Sequence, residues 1–426
     1  MTLAIFLSVL IGGILLGIPV AFSLLLSSVA LMVHLDLFSA DILAQSLVNG
    51  VDSFALLAIP FFLVAGEVMA CGGLSKRIVR LAMSSVGHHK GGLGYVAIFT
   101  AVVLAGLSGS AAADAAALVA ILFPMMRKAG YPEGRSAGLL AAGGIIAPVI
   151  PPSVPLILIG VAGNISIAKL FMGGIAPGLM MGAALLFTWR YMVRNEDIAV
   201  HEKASPEERR AAFRDGIWAL FLPFIIIIGI RFGIFTPTEA AVVAAVYAIF
   251  VSAVVYRELT LAKFYQALIS SGKSTGMILF LVGCAMVASW LITVAQLPQQ
   301  LAVLLEPLID DPRLLMAAIM LLVLMIGMVM DLSPTVLILV PLLMPVVKAA
   351  GIDPVYFGLM FIMNACIGLI TPPVGTVLNV VCGVGKIRVE KAVTGILPFV
   401  GVYSILLIIF ILFPALIIVP MKFIAG

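Results

Sequence analysis

Charged residues are scarce in this chain. Asp, Glu, Lys and Arg make up 10% of its 426 residues and hydrophobic residues 63%, whereas a soluble domain carries roughly 25% charged residues. This composition excludes an ordinary water-soluble domain. A bilayer crossing needs about 20 apolar residues, and apolar runs recur at about 2–33, 54–70, 172–192, 217–230, 240–256, 277–294 and 395–419. The sequence therefore predicts an all-α polytopic membrane protein.

Histidine and cysteine are also rare, with four of each. The cysteines are scattered through apolar segments without the spacing of metal ligands, which is typical of small packing residues. The histidines fall in predicted loops or at helix ends, so neither a metal site nor a haem is expected. No G-x-x-x-x-G-K-[ST] stretch exists, which disfavours an ATP-driven machine.

The two halves of the chain resemble each other. One polar segment, 190–215, lies between them and is predicted to form a loop with a short surface helix. "GLSGSAAADAAALVAILFPMMRKAG" in the first half aligns with "GMVMDLSPTVLILVPLLMPVVKAAG" in the second at an offset of 221 residues. The same offset places the double proline of "IIAPVIPPSVP" on that of "CIGLITPPVGT". The chain therefore contains an internal repeat.

Each repeat contains a predicted helical hairpin, at about 93–126 and 313–347, that enters the membrane and returns. Five predicted crossings separate the hairpins, and because five is odd the hairpins enter from opposite faces. With the N-terminus in the cytoplasm, 19 of the 24 Lys and Arg residues lie on the cytoplasmic side, as the positive-inside rule requires. We therefore expect two inverted-topology repeats.

Prolines interrupt both repeats at equivalent places. Proline breaks an α-helix, and carbonyls freed in hydrocarbon are costly unless they line a cavity. Interrupted helices at matching positions of inverted repeats are typical of secondary transporters. We expect Pro148–Pro155 and Pro372–Pro373 to unwind spanning helices so that backbone carbonyls face a cation.

The turns of the two hairpins carry oxygen-bearing side chains. These are Ser108 and Ser110 beside Gly109 in the first, and Asp331, Ser333 and Thr335 in the second. Hard cations such as Na⁺ take carbonyl, hydroxyl and carboxylate oxygens, while the N-termini of half-helices attract an anionic substrate. Asp331 is expected in the site, whereas Asp114 either joins it or pairs locally.

Four stretches, "FGIFTPTEAA", "GGIAPGLMMG", "GGIIAPVIPPSVP" and "LSGSAAAD", resemble signatures of the large membrane subunit (DctM type) of tripartite ATP-independent periplasmic (TRAP) transporters. The resemblance runs the length of the chain. It implies an elevator-type, Na⁺-coupled importer in the bacterial inner membrane. It also implies two partners: a small four-helix membrane subunit (DctQ type), expected as a separate chain, and a periplasmic substrate-binding protein (DctP type).

The resemblance also implies site residues. The first sodium site would use Ser108, Gly109, Ser110, Gly144, Ala147 and Pro148. The second would use Asp331, Ser333, Thr335, Gly368 and Thr371. The anionic substrate would lie between the tips, near Pro152, Ser153, Pro373, Ser110 and Asp331. No cofactor beyond the coupling ion is implied.

The family architecture implies a division of the chain into scaffold and transport regions. These are 1–92 (scaffold helices and first arm helix), 93–161 (first hairpin and broken helix), 162–312 (scaffold helices, cytoplasmic loop 190–215 and second arm helix), 313–386 (second hairpin and broken helix) and 387–426 (C-terminal helix). "LSKRIVRLAMSSVG" and "LTLAKFYQALISSGK" are suitable for the arms.

The substrate class is open within the organic acids. Sialic acid or another sugar acid is favoured over a C4-dicarboxylate. A proton-coupled or Na⁺-independent transporter or exchanger is the alternative, although the predicted core offers only Asp114 and Asp331 for a proton relay. An intramembrane enzyme would need a nucleophile–base pair or a histidine cluster, and no histidine lies in the transport-region helices.

Overall fold

The computed structural model describes residues 2–194, 196, 202–297, 299–300 and 308–425, and within them the protein contains helices and no strand. The α-helices in chain order are α1 Thr2–Leu15, α2 Val20–His34, α3 Ala40–Val51, α4 Ala58–Cys71, α5 Leu74–Val86, α6 Gly92–Ser108, α7 Ala111–Lys128, α8 Glu133–Gly144, α9 Val154–Gly163, α10 Ile167–Val193, α11 Pro206–Arg231, α12 Pro237–Phe250, α13 Leu261–Val294, α14 Pro312–Gly327, α15 Leu332–Ala349, α16 Pro354–Gly368, α17 Thr376–Gly385, α18 Val389–Leu412 and α19 Ala415–Ala425. Seven helices within the described residues are long and apolar enough to cross a membrane. The predicted all-α polytopic fold is confirmed.

Two of the apolar runs are each divided between two helices, and one of them is the predicted C-terminal helix 387–426. The run 2–33 is divided between α1 and α2 at Gly17, whose φ of +79° leaves the helical region, and Pro19 then precedes α2. The run 395–419 is divided by Pro414 between α18 and α19. In both places the break follows from glycine or proline chemistry. A 14-residue helix such as α1 is about 21 Å long, which is short of the roughly 30 Å hydrocarbon core.

The segment 190–215 also differs from its prediction. α10 continues to Val193, and 206–215 form the first turns of the long α11 instead of a short surface helix. A capping box at Ser205 and Glu208 fixes the start of α11. Residues 195 and 197–201 of this segment lie outside the described residues. The predicted second arm is likewise continuous with the spanning part of α13.

Both predicted hairpins form. α6 and α7 meet at Gly109, whose φ is +62°, and Ser110 caps α7 by accepting a hydrogen bond from the Ala113 backbone N–H at 3.4 Å. α14 and α15 meet at residues 328–331, with Asp331 at the N-cap position of α15. Both turns therefore lie at the small and oxygen-bearing residues where the sequence predicts them.

Both spanning helices are interrupted at their prolines. Residues 145–153 separate α8 from α9, and residues 369–375 separate α16 from α17. The Pro151–Pro152 and Pro372–Pro373 peptide bonds are cis. Within the breaks, tight turns satisfy part of the backbone, including the Thr371 N–H to the Gly368 carbonyl at 2.9 Å.

The two repeats are inverted. A short connection joins α7 to α8, so these two helices meet at one membrane face, and α9, beyond the break, lies toward the other. α9 packs against α15 of the second hairpin, and α17 packs against α7 of the first. The contacts involve Val340 beside Gly163 and Val119 beside Gly385, and the two valines are related by the repeat offset. Each hairpin therefore occupies the half of the membrane opposite to the other.

Segments predicted to be cytoplasmic gather at one end of the molecule. The five salt bridges between described residues all lie there: Arg77–Glu258, Arg80–Asp215, Arg127–Glu133, Arg135–Glu196 and Lys391–Glu133. The guanidinium of Arg77 also lies 3.7 Å from the centre of the Tyr256 ring. The two contacts of Arg77 join the start of α5 to the connection between α12 and α13.

Helix α18 packs closely against α8, the first half of the first broken helix. Gly134 and Gly138 of α8 face Gly395 of α18, and the backbones approach so closely that a Cβ on Gly138 would lie 2.5 Å from the Gly395 carbonyl oxygen. The Tyr403 hydroxyl donates a hydrogen bond to the Ala142 carbonyl at 2.9 Å. α8 and α18 are therefore expected to move together.

This close approach predicts that Gly395→Ala destabilises the protein. The new methyl group would overlap the Gly134 carbonyl, and overpacking of this kind costs about 1–3 kcal/mol. Gly401→Ala, on the same helix, is the control because no described residue lies within 4 Å of its Cβ position, and alanine improves helix propensity by up to about 1 kcal/mol. Thermal unfolding in detergent should show a lower Tm for the first variant only. Equal Tm values would contradict the close packing.

Candidate functional site

The tip of the first hairpin lies directly on the break of the first broken helix. A Cβ added to Gly109 would be 2.7 Å from the Ser153 Cα and 2.8 Å from the Pro152 carbonyl oxygen. At the other end of the break, Gly144 faces Ala115 in the second turn of α7, where a Cβ on Gly144 would be 2.6 Å from the Ala115 Cβ. The structure thus brings together the hairpin and the break that the sequence assigned to one site.

Hydroxyl and carboxylate groups form a short chain at this tip. Ser108 Oγ donates a hydrogen bond to Asp114 Oδ1 and accepts one from the Ser110 backbone N–H at 3.2 Å. Asp114 is 4% exposed, and its Oδ2 has no hydrogen-bond partner among the described residues. Ser108 Oγ therefore retains a free lone pair beside a buried carboxylate oxygen.

The carbonyl groups of the first break are partly engaged by their own loop. The Gly144 carbonyl accepts from the Ala147 N–H at 3.2 Å, and the Pro148 carbonyl accepts from the Ser153 hydroxyl at 2.7 Å. A carbonyl oxygen has two lone pairs, so each can still face a cation. The bonds hold the loop in the conformation that would present them.

The second hairpin also lies against its own break. Gly327 and Gly368 lie backbone to backbone, since a Cβ on Gly368 would be 2.6 Å from the Gly327 carbonyl carbon. The Met328 carbonyl accepts hydrogen bonds from the Val374 and Gly375 N–H groups at 3.3 and 3.2 Å. The backbone of this tip is therefore bonded directly to the unwound segment.

The polar side chains of the second site are less engaged than those of the first. The Thr335 hydroxyl donates to the Asp331 carbonyl at 2.7 Å, and the Thr371 hydroxyl donates to the Ile367 carbonyl at 2.7 Å. The Asp331 carboxylate stands at the start of α15 without accepting a capping hydrogen bond, and the residue is exposed. Ser333 is half-buried beside it.

The two halves differ in access. Ser153 is 1% exposed and Pro152 is also buried, whereas Pro373 is exposed and Val374 is 39% exposed. In this conformation, of the three break residues predicted to touch substrate, the structure brings only Pro373 to a surface. The physical reason is that Gly109 lies over Pro152 and Ser153, whereas the second tip contacts its break through Gly327 and Met328 and leaves Pro373 uncovered.

Four helix ends meet at each tip. Together they can bind both a cation and an anion. In the first half, the C-terminal ends of α6 and α8 present carbonyls, and the N-terminal ends of α7 and α9 present N–H groups. The second half repeats this with α14 and α16 against α15 and α17. Carbonyl ends favour a cation and N–H ends favour an anion. The arrangement can therefore hold a cation beside an anionic group.

Two polar side chains near the sites, Asn364 and Asn379, were not predicted from the sequence to belong to either site. Asn364, buried in α16, donates from Nδ2 to the Met320 carbonyl, and its Oδ1 has no partner among the described residues. Asn379 donates to the Val374 carbonyl at 2.9 Å and so anchors the second break. One feature of the sequence indicates Asn364: it aligns with Gly143 at the repeat offset and so breaks the symmetry of the two halves. No feature of the sequence indicates Asn379.

A family model described as "Tripartite ATP-independent periplasmic transporter, DctM component" matches residues 7–416. The chain belongs to this family. The 2,3-diketo-L-gulonate TRAP transporter large permease protein YiaN of Escherichia coli (strain K12) is 57% identical to this DctM chain over 424 residues, covering 100% of each. The sialic acid TRAP transporter large permease protein SiaM of Vibrio cholerae is 39% identical over 404 residues, covering 95% of each.

A solved structure shares the fold of this DctM chain. The Alcanivorax borkumensis YdaH transporter, described as having an unusual topology, superposes with a TM-score of 0.68 over 89% of this chain and 91% of that one, at 16% identity. The predicted DctM resemblance is confirmed, and with it a transporter permease that is not an enzyme. Large permeases of this family work with a small membrane subunit and a periplasmic binding protein.

The contact of Gly109 with the first break predicts that Gly109→Ala impairs transport. Alanine would strain the left-handed backbone by about 1–2 kcal/mol and would also push the tip away from Ser153. Gly130→Ala is the matched control, because its φ is also left-handed at +79° but no atom of the described residues lies within 4 Å of the Cβ position. Substrate uptake by the reconstituted transporter should fall more than about tenfold for Gly109→Ala alone. Equal uptake by the two variants would show that tip closure is not required.

Proposed function

We propose that this chain is the large subunit of a Na⁺-coupled secondary-active importer. It moves a sugar-acid anion, delivered by a periplasmic binding protein, across the bacterial inner membrane by an elevator motion. The observation that carries this proposal is the pair of hairpin tips, each seated on a break where helix C-termini and N-termini meet. Such a site can hold Na⁺ on carbonyl and hydroxyl oxygens and a carboxylate on nearby N–H groups.

The coupling follows from the charge at the second tip. Without a cation, the exposed Asp331 carboxylate would repel an anionic substrate placed between the tips. A bound Na⁺ would neutralise it and would hold the tip against the break through the oxygens of Thr335 and Thr371 and the Gly368 carbonyl. The anion would then bind better to the Na⁺-loaded protein, and by linkage Na⁺ would bind better to the substrate-loaded protein.

The elevator motion follows from cross-packing of the repeats. α7 packs on α17 and α9 packs on α15, so the two hairpins and the two broken helices share one interface. A body that contains both halves of the site can move as a unit. Helices α11 and α12 contact each other, and they also contact α5 and α4 respectively, so they suit the role of scaffold.

A sugar acid is the proposed substrate class. The relative that is 57% identical along its whole length is named for 2,3-diketo-L-gulonate, and the relative named for sialic acid is 39% identical. We therefore favour a six-carbon keto or diketo sugar acid over sialic acid and over a C4-dicarboxylate. A DctQ-type small subunit as a separate chain, a DctP-type binding protein and a cytoplasmic N-terminus complete the proposal.

Proton coupling is the second candidate, and Asp114 is the observation that favours it. This carboxyl is buried, has one unpartnered oxygen and bonds to Ser108 at the tip. A buried carboxyl can bind a proton in place of a metal ion. Uptake that follows an imposed pH gradient and is indifferent to Na⁺ would favour this candidate over Na⁺ coupling.

The Na⁺ proposal predicts that Asp331→Asn and Ser108→Ala each weaken Na⁺-driven uptake. Loss of a charged or hydroxyl ligand removes an interaction worth about 1.5–3 kcal/mol, so the Na⁺ concentration for half-maximal uptake should rise more than about tenfold. Asp41→Asn is the control, because Asp41 is an exposed acid on α3, away from either tip. Uptake would be measured in proteoliposomes with the small subunit and the binding protein. Uptake without Na⁺, or normal Na⁺ dependence in both variants, would refute the assigned sites.

The substrate proposal predicts a ranking of competitors. With a binding protein matched to the permease, labelled 2,3-diketo-L-gulonate should be taken up under a Na⁺ gradient, and excess sialic acid or succinate should compete poorly. Inhibition by succinate at equal concentration would move the substrate to the C4-dicarboxylates while leaving the Na⁺ coupling intact.

A further inference from the structure

A deep groove of about 1100 Å³ lies between the first limb of hairpin one and the long helix α10. Its walls are apolar. Phe99 and Val102 of α6 form one side, and Leu179, Leu186 and Phe187 of α10 form the other. Phe187 is 75% exposed, so the groove opens sideways, toward the lipid.

The walls of the groove are fixed by close packing at its base. A Cβ on Gly182 of α10 would be 2.7 Å from the Val102 Cγ2. Near the end of the groove the Trp189 indole donates to the Gly91 carbonyl at 3.0 Å, and the Tyr131 ring stacks on it with centroids 6.1 Å apart. The groove is therefore a formed feature of the fold and does not depend on side-chain rearrangement.

The mouth of the groove is basic. Lys90, Arg190, Arg194 and His89 line it, and Lys90 Nζ donates to the Arg194 carbonyl at 3.0 Å. None of the salt bridges between described residues involves Lys90, Arg190 or Arg194. They lie at the end of the molecule that holds most Lys and Arg, which the positive-inside rule assigns to the cytoplasm.

We propose that this groove binds an anionic glycerophospholipid of the cytoplasmic leaflet. Its phosphate would lie between Lys90 and Arg190, and an acyl chain would follow Phe99 and Leu186 into the membrane. Basic pockets between membrane helices on the cytoplasmic side have the chemistry that selects anionic headgroups. The site depends on neither the coupling ion nor the substrate proposed above.

The size of the groove favours a lipid over a helix of a partner subunit. An α-helix is about 10 Å wide, so a volume of 1100 Å³ would hold roughly 14 Å of helix, or about nine residues. A crossing helix needs about 20. A flexible acyl chain with a charged headgroup matches the division of the groove into apolar walls and a basic mouth.

The test is retention of lipid by the purified chain. Native mass spectrometry would follow the protein in detergent after incubation with dioleoyl phosphatidylglycerol or dioleoyl phosphatidylcholine. We expect one phosphatidylglycerol per chain to be retained in preference to phosphatidylcholine. The double variant Lys90→Gln/Arg190→Gln should lose that retention at least about fivefold, and Ala183→Trp, which fills the groove, should lose it with the basic mouth intact. Arg210→Gln, at another exposed cytoplasmic cation, should retain lipid as the wild type does.

Two outcomes would overturn the proposal. The first is equal retention of the two lipids, or retention that is unchanged in both groove variants. The second comes from a photocrosslinking residue at position 187 in the assembled transporter: crosslinks to phospholipid support the lipid site, and crosslinks to another polypeptide would make the groove a subunit interface.

Discussion

The need to satisfy every backbone polar group inside a membrane governs this structure. A broken helix at membrane depth frees N–H and carbonyl groups, each of which costs several kcal/mol when unpaired in hydrocarbon. The protein places a hairpin tip on each break, and at the second break the Met328 carbonyl takes two of the freed N–H groups directly. The breaks and the tips therefore stabilise each other, and the glycines let them come into contact. Neither a break nor a tip would be stable in lipid without the other.

The same constraint explains the small residues at the contacts. Gly109 on Ser153, Gly144 on Ala115 and Gly327 on Gly368 are places where two backbones approach within the space of a methyl group. In a membrane there is no hydrophobic gain from joining helices, so close backbone packing supplies the attraction. α8 and α18 use the same means at Gly134 and Gly395. The small-residue runs that carry the site are also what hold it together.

Much of the fold could be predicted because the repeat is visible in the sequence. Proline and glycine at a constant offset located both hairpins and both breaks, since these residues act locally on the backbone. What failed was the extent of individual helices: Pro414 divides the predicted C-terminal helix, and residues 206–215 join the long α11 instead of forming a short surface helix. The local meeting of each tip with its break was also predictable. The access of Pro373 and the burial of Ser153 were not, because they depend on how far each tip closes, a tertiary property that no residue pattern encodes.

That difference in access bears on how the molecule works. The two inverted repeats have different conformations in this structure: the first tip covers its break, and the second leaves Pro373 and Asp331 exposed. The open part of the site belongs to the second half, although Gly327 still packs against Gly368 there. Under the proposed elevator mechanism, the two hairpins and the two broken helices would move as one body because they share one interface. Access to the site could then change from one side of the membrane to the other while each tip stays on its own break.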